Sequence, residues 1–228
     1  MKQSLKIVAL LGGLLASMQA ATCNAQTPVE PQGIDGVIEG RMKEAGLVGM
    51  GAAIIIDRKV AWSRGYGFAN QQDAVRFTPD TVMNIGSISK TFTGVALMQA
   101  VEDGKLSLDE DINAYLPFKV VNPAFPDARI TLRHLATHTS GITDRWEVYQ
   151  RSYHWGGDAT EPLGEFLQGY LAVGGKDYTK DNFLPFKPGT HRDYSNIASG
   201  LAGYIVERAV GETLDTYTRQ RIFKPLGM

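Results

Sequence analysis

Ser87 and Lys90 stand three residues apart, in the run Ser-Ile-Ser-Lys, at the head of an apolar stretch. Tyr194-Ser195-Asn196 follows far downstream, where another helical pattern begins. A serine hydroxyl is a poor nucleophile at neutral pH unless a neighbouring base takes its proton, and a lysine one helical turn away can do so. A phenol beside that lysine could relay the proton between nucleophile and leaving group, and an asparagine amide could hold a substrate carbonyl. Together these residue types describe acyl transfer through an acyl-serine.

Each motif also has a bland alternative. Ser-x-x-Lys is expected by chance about once in a chain of this length, and Ser87 could be a helix cap with Lys90 a solvated side chain. The context favours chemistry. Asn84-Ile85-Gly86 supplies a tight glycine turn directly before Ser87, which puts the hydroxyl at a helix N-terminus, where unpaired amides and the dipole favour developing negative charge. The apolar residues after Lys90 argue against a solvated lysine. Tyr194 and Asn196 could likewise be a satisfied core hydroxyl and a cap, but the turn Phe186-Lys187-Pro188-Gly189-Thr190 and the run His191-Arg192-Asp193 deliver them from a loop to a helix start.

The elements that must position these residues are legible from periodicity. Ile34, Val37, Ile38, Met42 and Ala45 predict a helix ended by Gly46, followed by strands over 51–56 and 60–67 around a turn at Asp57-Arg58-Lys59. A helix over 87–103 is apolar nearly all round, with Gly104 as its stop, which predicts a place in the middle of a domain. Thr131 is expected to cap a short helix to Ala136, and Thr160 one over 161–171. Another runs from Ile197 to Ala209 before Gly211. Segments 142–157 and 174–190, rich in Gly, Asp, Pro and aromatic residues, read as long ordered loops of the kind that line a site.

With 228 residues, 43% of them hydrophobic, the chain can bury a core of one domain with two lobes. A formal charge of −1 leaves no cationic field for nucleic acid or an anionic membrane surface, so the expected partner is a small-molecule or peptide substrate. Residues 1–25 carry Lys2 and Lys6, an apolar run over 7–18 and then Ala20, Ala21 and Ala25: a secretory signal cut after Ala25. That run is too short to span a bilayer. The mature chain is thus expected to be exported, periplasmic or secreted, with no transmembrane segment. Cys23 is the only cysteine and would leave with the signal; a lipoprotein acylated at Cys23 is a weaker reading because Thr22 precedes it. Two other sites can be set aside. Gly86 to Thr91 lacks the glycine before lysine of a phosphate loop, and His134 and His138 stand at i and i+4 with Leu135 where a zinc hydrolase carries its glutamate.

Three segments, in order along the chain, carry a resemblance: Asn-Ile-Gly-Ser-Ile-Ser-Lys-Thr-Phe-Thr-Gly over 84–94, Ile-Thr-Leu-Arg-His-Leu-Ala-Thr-His-Thr-Ser-Gly over 130–141 and Pro-Gly-Thr-His-Arg-Asp-Tyr-Ser-Asn over 188–196. They resemble the beta-lactamase-related serine hydrolases, a group of class C beta-lactamases, D-alanyl-D-alanine carboxypeptidases and related esterases. The resemblance covers nearly all of residues 26–228. It implies an α+β, beta-lactamase/transpeptidase-like fold, with an antiparallel sheet flanked by helices, an all-helical lobe and the site between them. It implies Ser87 as nucleophile, Lys90 as its base, Tyr194 as partner in proton transfer and Asn196 as a substrate-positioning side chain, with no metal or organic cofactor. The family's third motif, Lys-Thr-Gly or His-Thr-Gly on a late strand, does not occur, and His138-Thr139-Ser140-Gly141 belongs to the middle segment. Residues 26–228 are therefore expected to be the N-terminal part of one such domain, lacking its late strands and catalytically silent alone. Lactam, peptide and ester substrates all fit, and the alternatives are a penicillin-binding or sensing module with little turnover, or an esterase without lactamase activity.

Overall fold

A computed structural model describes residues 33–154 and 156–228; the signal-peptide reading of residues 1–25 and the acylation alternative at Cys23 lie outside the described residues. The described chain divides into two units, residues 33–83 and 84–228.

Helix α1, Ile34–Ala45, opens the first unit and ends at Gly46 in the left-handed region, as the spacing predicts. Strands β1, Gly49–Ile56, and β2, Lys59–Asn70, then pair antiparallel. Their link is the two residues Asp57 and Arg58, with φ of 49° and 62°. Positive φ at both positions lets so short a turn follow the right-handed twist of the strands. Lys59 pairs with Ile56 and so belongs to β2, not to the turn. Strand β3, Val75–Arg76, extends the sheet in the order β1-β2-β3, and two residues are too few to leave a sequence signal. Met50, Ala52 and Ile54 alternate along β1 and pack with Trp62 and Tyr66 of β2 and with Ile34, Ile38 and Met42 of α1. The Tyr66 hydroxyl donates to Asp35 at 2.6 Å, and burial beside that carboxylate pushes its pKa up to about 12. Arg64 binds the other oxygen of Asp35.

The second unit is helical. A 3₁₀ turn, Gly86–Ile88, leads into α2, Ser89–Glu102; then come α3, Leu132–Ala136, α4, Trp146–Tyr149, α5, Leu163–Leu171, α6, Asn196–Val210, and α7, Leu214–Thr218. Helix α6 is the hub: Ile197, Ala198, Leu201, Ala202, Ile205 and Val206 are buried against Leu97 and Ala100 of α2, Leu132 and Leu135 of α3, and Leu167 and Tyr170 of α5. The central helix is therefore α6 and not α2, whose apolar wrapping suggested it. On α2 only Ala96, Leu97 and Ala100 are buried, while Val95 and Met98 are 44% and 45% exposed.

Local chemistry explains the helix ends. Thr131 caps α3 by accepting from the His134 amide at 3.3 Å, and His134 Nδ1 accepts from the Thr131 amide at 3.3 Å, a reciprocal box. The expected cap of α5 at Thr160 is not formed: the helix starts at Leu163, with Pro162 before it and no side-chain cap. A residue before proline is pushed out of the α region, so Glu161 cannot join the helix. Segment 142–157 contains the short α4, and segment 174–190 no named strand, only an isolated bridge between Ile142 and Phe183. Buried asparagines hold these loops: Asn182 Nδ2 donates to the carbonyls of Tyr170 (2.6 Å) and Asp177 (3.0 Å), and Asn122 Nδ2 to that of Leu184 (2.9 Å).

Candidate active site

Ser87 lies on the turn before α2, and the turn is made without it. The Asn84 side chain accepts from the Gly86 amide at 2.8 Å, and Gly86 turns the chain at φ +53°, a conformation glycine adopts without steric cost. Ser87 is thus not the helix cap of the bland reading; its hydroxyl is left for other partners. Lys90, three residues on and on the same face, places Nζ 3.2 Å from Ser87 Oγ. The same ammonium donates to Asn196 Oδ1 at 2.6 Å, and the Tyr194 hydroxyl donates to Ser87 Oγ at 2.7 Å. Side chains more than a hundred positions apart in sequence thereby form one hydrogen-bonded chain, with Ser87 Oγ between a lysine and a phenol.

Helix α6 presents the downstream pair. Ser195 is its cap, fully buried, accepting from the Ala198 amide at 2.9 Å, so the middle residue of Tyr-Ser-Asn is structural and its flanking residues face the site. Two residues that the sequence did not single out for this role hold them in place. Asp144 accepts from the Ser195 hydroxyl (2.7 Å), the Asn196 amide (2.8 Å), Asn196 Nδ2 (2.8 Å) and the Ile197 amide (3.0 Å). A carboxylate at a helix N-terminus satisfies orphan amides and opposes the positive end of the dipole. It also fixes the amide of Asn196: with Nδ2 toward Asp144, Oδ1 must face Lys90. His138, strained at φ +57°, packs on Tyr194 with ring centroids 4.5 Å apart and the planes tilted by 35°, and its Nδ1 accepts from the Ser195 amide at 3.3 Å. Both histidines of the i, i+4 pair thus accept backbone amides. Nothing in the sequence marks Asp144, because its partners lie about fifty residues away.

Charge is arranged to match. The Lys90 ammonium, and then the hydrogen bond with Ser87, hold the Tyr194 phenol below its ordinary pKa. Burial lowers the pKa of His138, with Arg192 and Lys90 adding to the effect, which favours the neutral ring that packs on the phenol. As placed, Lys90 Nζ and the Tyr194 hydroxyl both donate to Ser87 Oγ; either group, once deprotonated, can take the serine proton and return it. Among the described residues no group of His, Cys, Asp and Glu has the geometry to hold a metal ion, and no helix is long and apolar enough to cross a membrane.

The beta-lactamase family model matches residues 34–228. The chain belongs to the beta-lactamase family. Among solved structures it is similar to an octameric penicillin-binding protein homologue from Pyrococcus abyssi, 31% identical with a TM-score of 0.69 over 86% of this chain and 42% of that one. A class C beta-lactamase is 27% identical with a TM-score of 0.64, covering 86% of this chain and 48% of that one. The fold is thus beta-lactamase/transpeptidase-like. Among curated proteins, a putative penicillin-binding protein, PbpX, of Bacillus subtilis (strain 168) is 29% identical over 195 residues, 84% of this chain and 42% of the relative. Protein flp of Staphylococcus aureus (strain MRSA252) is 27% identical over 197 residues, 86% of this chain. The chain spans only about 37% of that protein's length.

Proposed function

We propose that the protein to which this chain belongs is a serine acyl hydrolase of the beta-lactamase family, working through an acyl-serine. Ser87 Oγ attacks the carbonyl of an amide, lactam or ester as its proton passes to Lys90. Tyr194, within reach of both, carries the proton to the leaving group, and Asn196 holds a substrate carbonyl through the N–H of Nδ2 not bound to Asp144. The new Ser–C bond replaces the carbonyl's bond to its leaving group, and water then cleaves the acyl-serine and restores the hydroxyl. The observation that carries this reading is the double contact on Ser87 Oγ, Lys90 Nζ at 3.2 Å and Tyr194 OH at 2.7 Å. The leader read over residues 1–25 fits a substrate met in the periplasm or outside the cell.

The test is to label the complete natural protein with an active-site serine probe and locate the adduct by mass spectrometry. The adduct is expected on Ser87 and is expected to vanish in Ser87→Ala; an adduct on Ser89, Ser140 or Ser195 overturns the assignment. Turnover separates an enzyme from a penicillin-binding or sensing protein, which would remain acylated after one equivalent.

A further inference from the structure

A cavity of about 450 Å³ opens within the second unit, bordered at one end by Lys90 and Asn196. From there it follows one face of α6, through Ile197 and Gly200 to Gly203, a run of about 10 Å at the helical rise. Its opposite wall is Leu163, Phe166 and Leu167 of α5, with Leu214 at the far end. Apart from Lys90, the charged side chains on its rim pair with one another: Arg151 with Asp177 at 2.5 Å and Lys176 with Glu161 at 2.5 Å. The surface offered to a ligand is mainly apolar, broken by side chains such as Ser89, Thr93, His154 and Ser199.

The glycines of these helices show that the space is kept open. A side chain at Gly164 would run into the Tyr204 ring at 2.7 Å, and one at Gly203 would crowd Leu214 at 3.2 Å, so packing accounts for both. Gly200 is different: an added Cβ would meet only Leu163 Cδ1, at 3.7 Å, an ordinary contact. Neighbouring atoms do not require glycine there, although glycine inside a helix is destabilising relative to alanine. Its effect is to leave the α6 wall bare midway along the cavity.

We propose that this cavity is an acyl-chain subsite, and that the enzyme takes an uncharged aliphatic acyl group of roughly six to eight carbons, the reach of an extended chain in such a run. This rests on the serine-hydrolase reading above. The orientation follows from the border: neither Ser87 nor Tyr194 lines the cavity, but Lys90 and Asn196 do, and Lys90 Nζ touches both Ser87 Oγ and Asn196 Oδ1, so an acyl group on Ser87 enters the cavity past Lys90 and Asn196, and the leaving group that Tyr194 protonates departs away from it.

The experiment uses the complete natural protein with p-nitrophenyl acetate, butyrate and octanoate, and with ethyl- and octylphosphonate probes of Ser87 that read the same preference without turnover. Wild type is expected to favour the octyl compounds by about tenfold or more in kcat/KM or labelling rate. Gly200→Phe, which fills the cavity, is expected to remove that preference while leaving acetate hydrolysis within about twofold. Should Gly200→Phe fail to fold, Ser199→Phe on the same wall replaces it. Ser87-dependent reaction with no chain-length preference, as when another segment of the natural protein fills the cavity, overturns the subsite and leaves the serine reading standing. A preference that survives both substitutions does the same. Absence of any reaction at Ser87 overturns both.

Discussion

Lys90 and Tyr194 share one hydroxyl, and their chemistry differs in what each can accept. A guanidinium keeps the positive charge of lysine and cannot take a proton. Lys90→Arg is therefore expected to lower the acylation rate of Ser87 more than tenfold, a barrier increase above about 1.4 kcal/mol, read by stopped-flow labelling. Retention of a tenth or more of the rate would remove Lys90 as base. Tyr194 is acidified chiefly by Lys90 and next by Ser87. In an NMR titration it should lose its proton below the ordinary tyrosine value near 10, and Lys90→Met should move that midpoint up. A depressed folded-state pKa adds stability that is complete above the unfolded value near 10 and is lost as pH falls through the folded one. The hydrogen bond that Tyr194 donates to Ser87 Oγ is made by the protonated form.

At the scale of elements, the N-terminus of α6 is coupled to the loop before α4 through Asp144. Asp144→Ala leaves the Ser195 hydroxyl, two backbone amides and the Asn196 side chain without their acceptor. For this half-buried group the expected cost is about 1–3 kcal/mol in urea unfolding. Because Asn196 can then rotate its amide and turn Nδ2 toward Lys90, acylation should fall further than the stability loss explains, at temperatures where the variant is fully folded. Asp144→Glu, which keeps the charge, should recover part of the folding free energy. A variant equal to wild type in acylation would show that Asn196 needs no such support.

For the whole molecule, the distribution of buried surface matters. Residues 84–228 hold all four site side chains and a core centred on α6, whereas the cluster in residues 33–83 has Met42, Trp62 and Tyr66 as its buried members. Ile205 is fully buried about two and a half turns below Asn196 on the same helix. Ile205→Ala is expected to destabilise by about 2–5 kcal/mol, through lost transfer energy and the cavity left behind. Val173→Ala, at a side chain 82% exposed, should stay within about 0.5 kcal/mol. Denaturant midpoints of the two variants check the contrast; similar losses would mean that α6 is not the hub of the core.

Residue types and spacing made Ser87, Lys90, Tyr194 and Asn196 candidates, because a serine with a lysine at i+3 and a tyrosine and asparagine flanking a helix start are local patterns, and the three-segment resemblance supplied their expected roles. Periodicity likewise placed α1, the β1–β2 hairpin and α6, each of which buries one repeating face. Patterns of that kind cannot show distance between segments. Only the folded chain decided that Tyr194 meets Ser87 at 2.7 Å, that Ser195 is the cap beside it, and that Asp144 sets the amide of Asn196. The short β3, α4 and α7 were illegible because two to five residues barely repeat a strand or helix period, whereas α3, as short as α7, is legible from its cap at Thr131. The centrality of α2 was misread because apolar composition reports what a helix can bury, while what it does bury depends on which neighbours reach each face, and on Val95 and Met98 those contacts are few enough to leave both exposed.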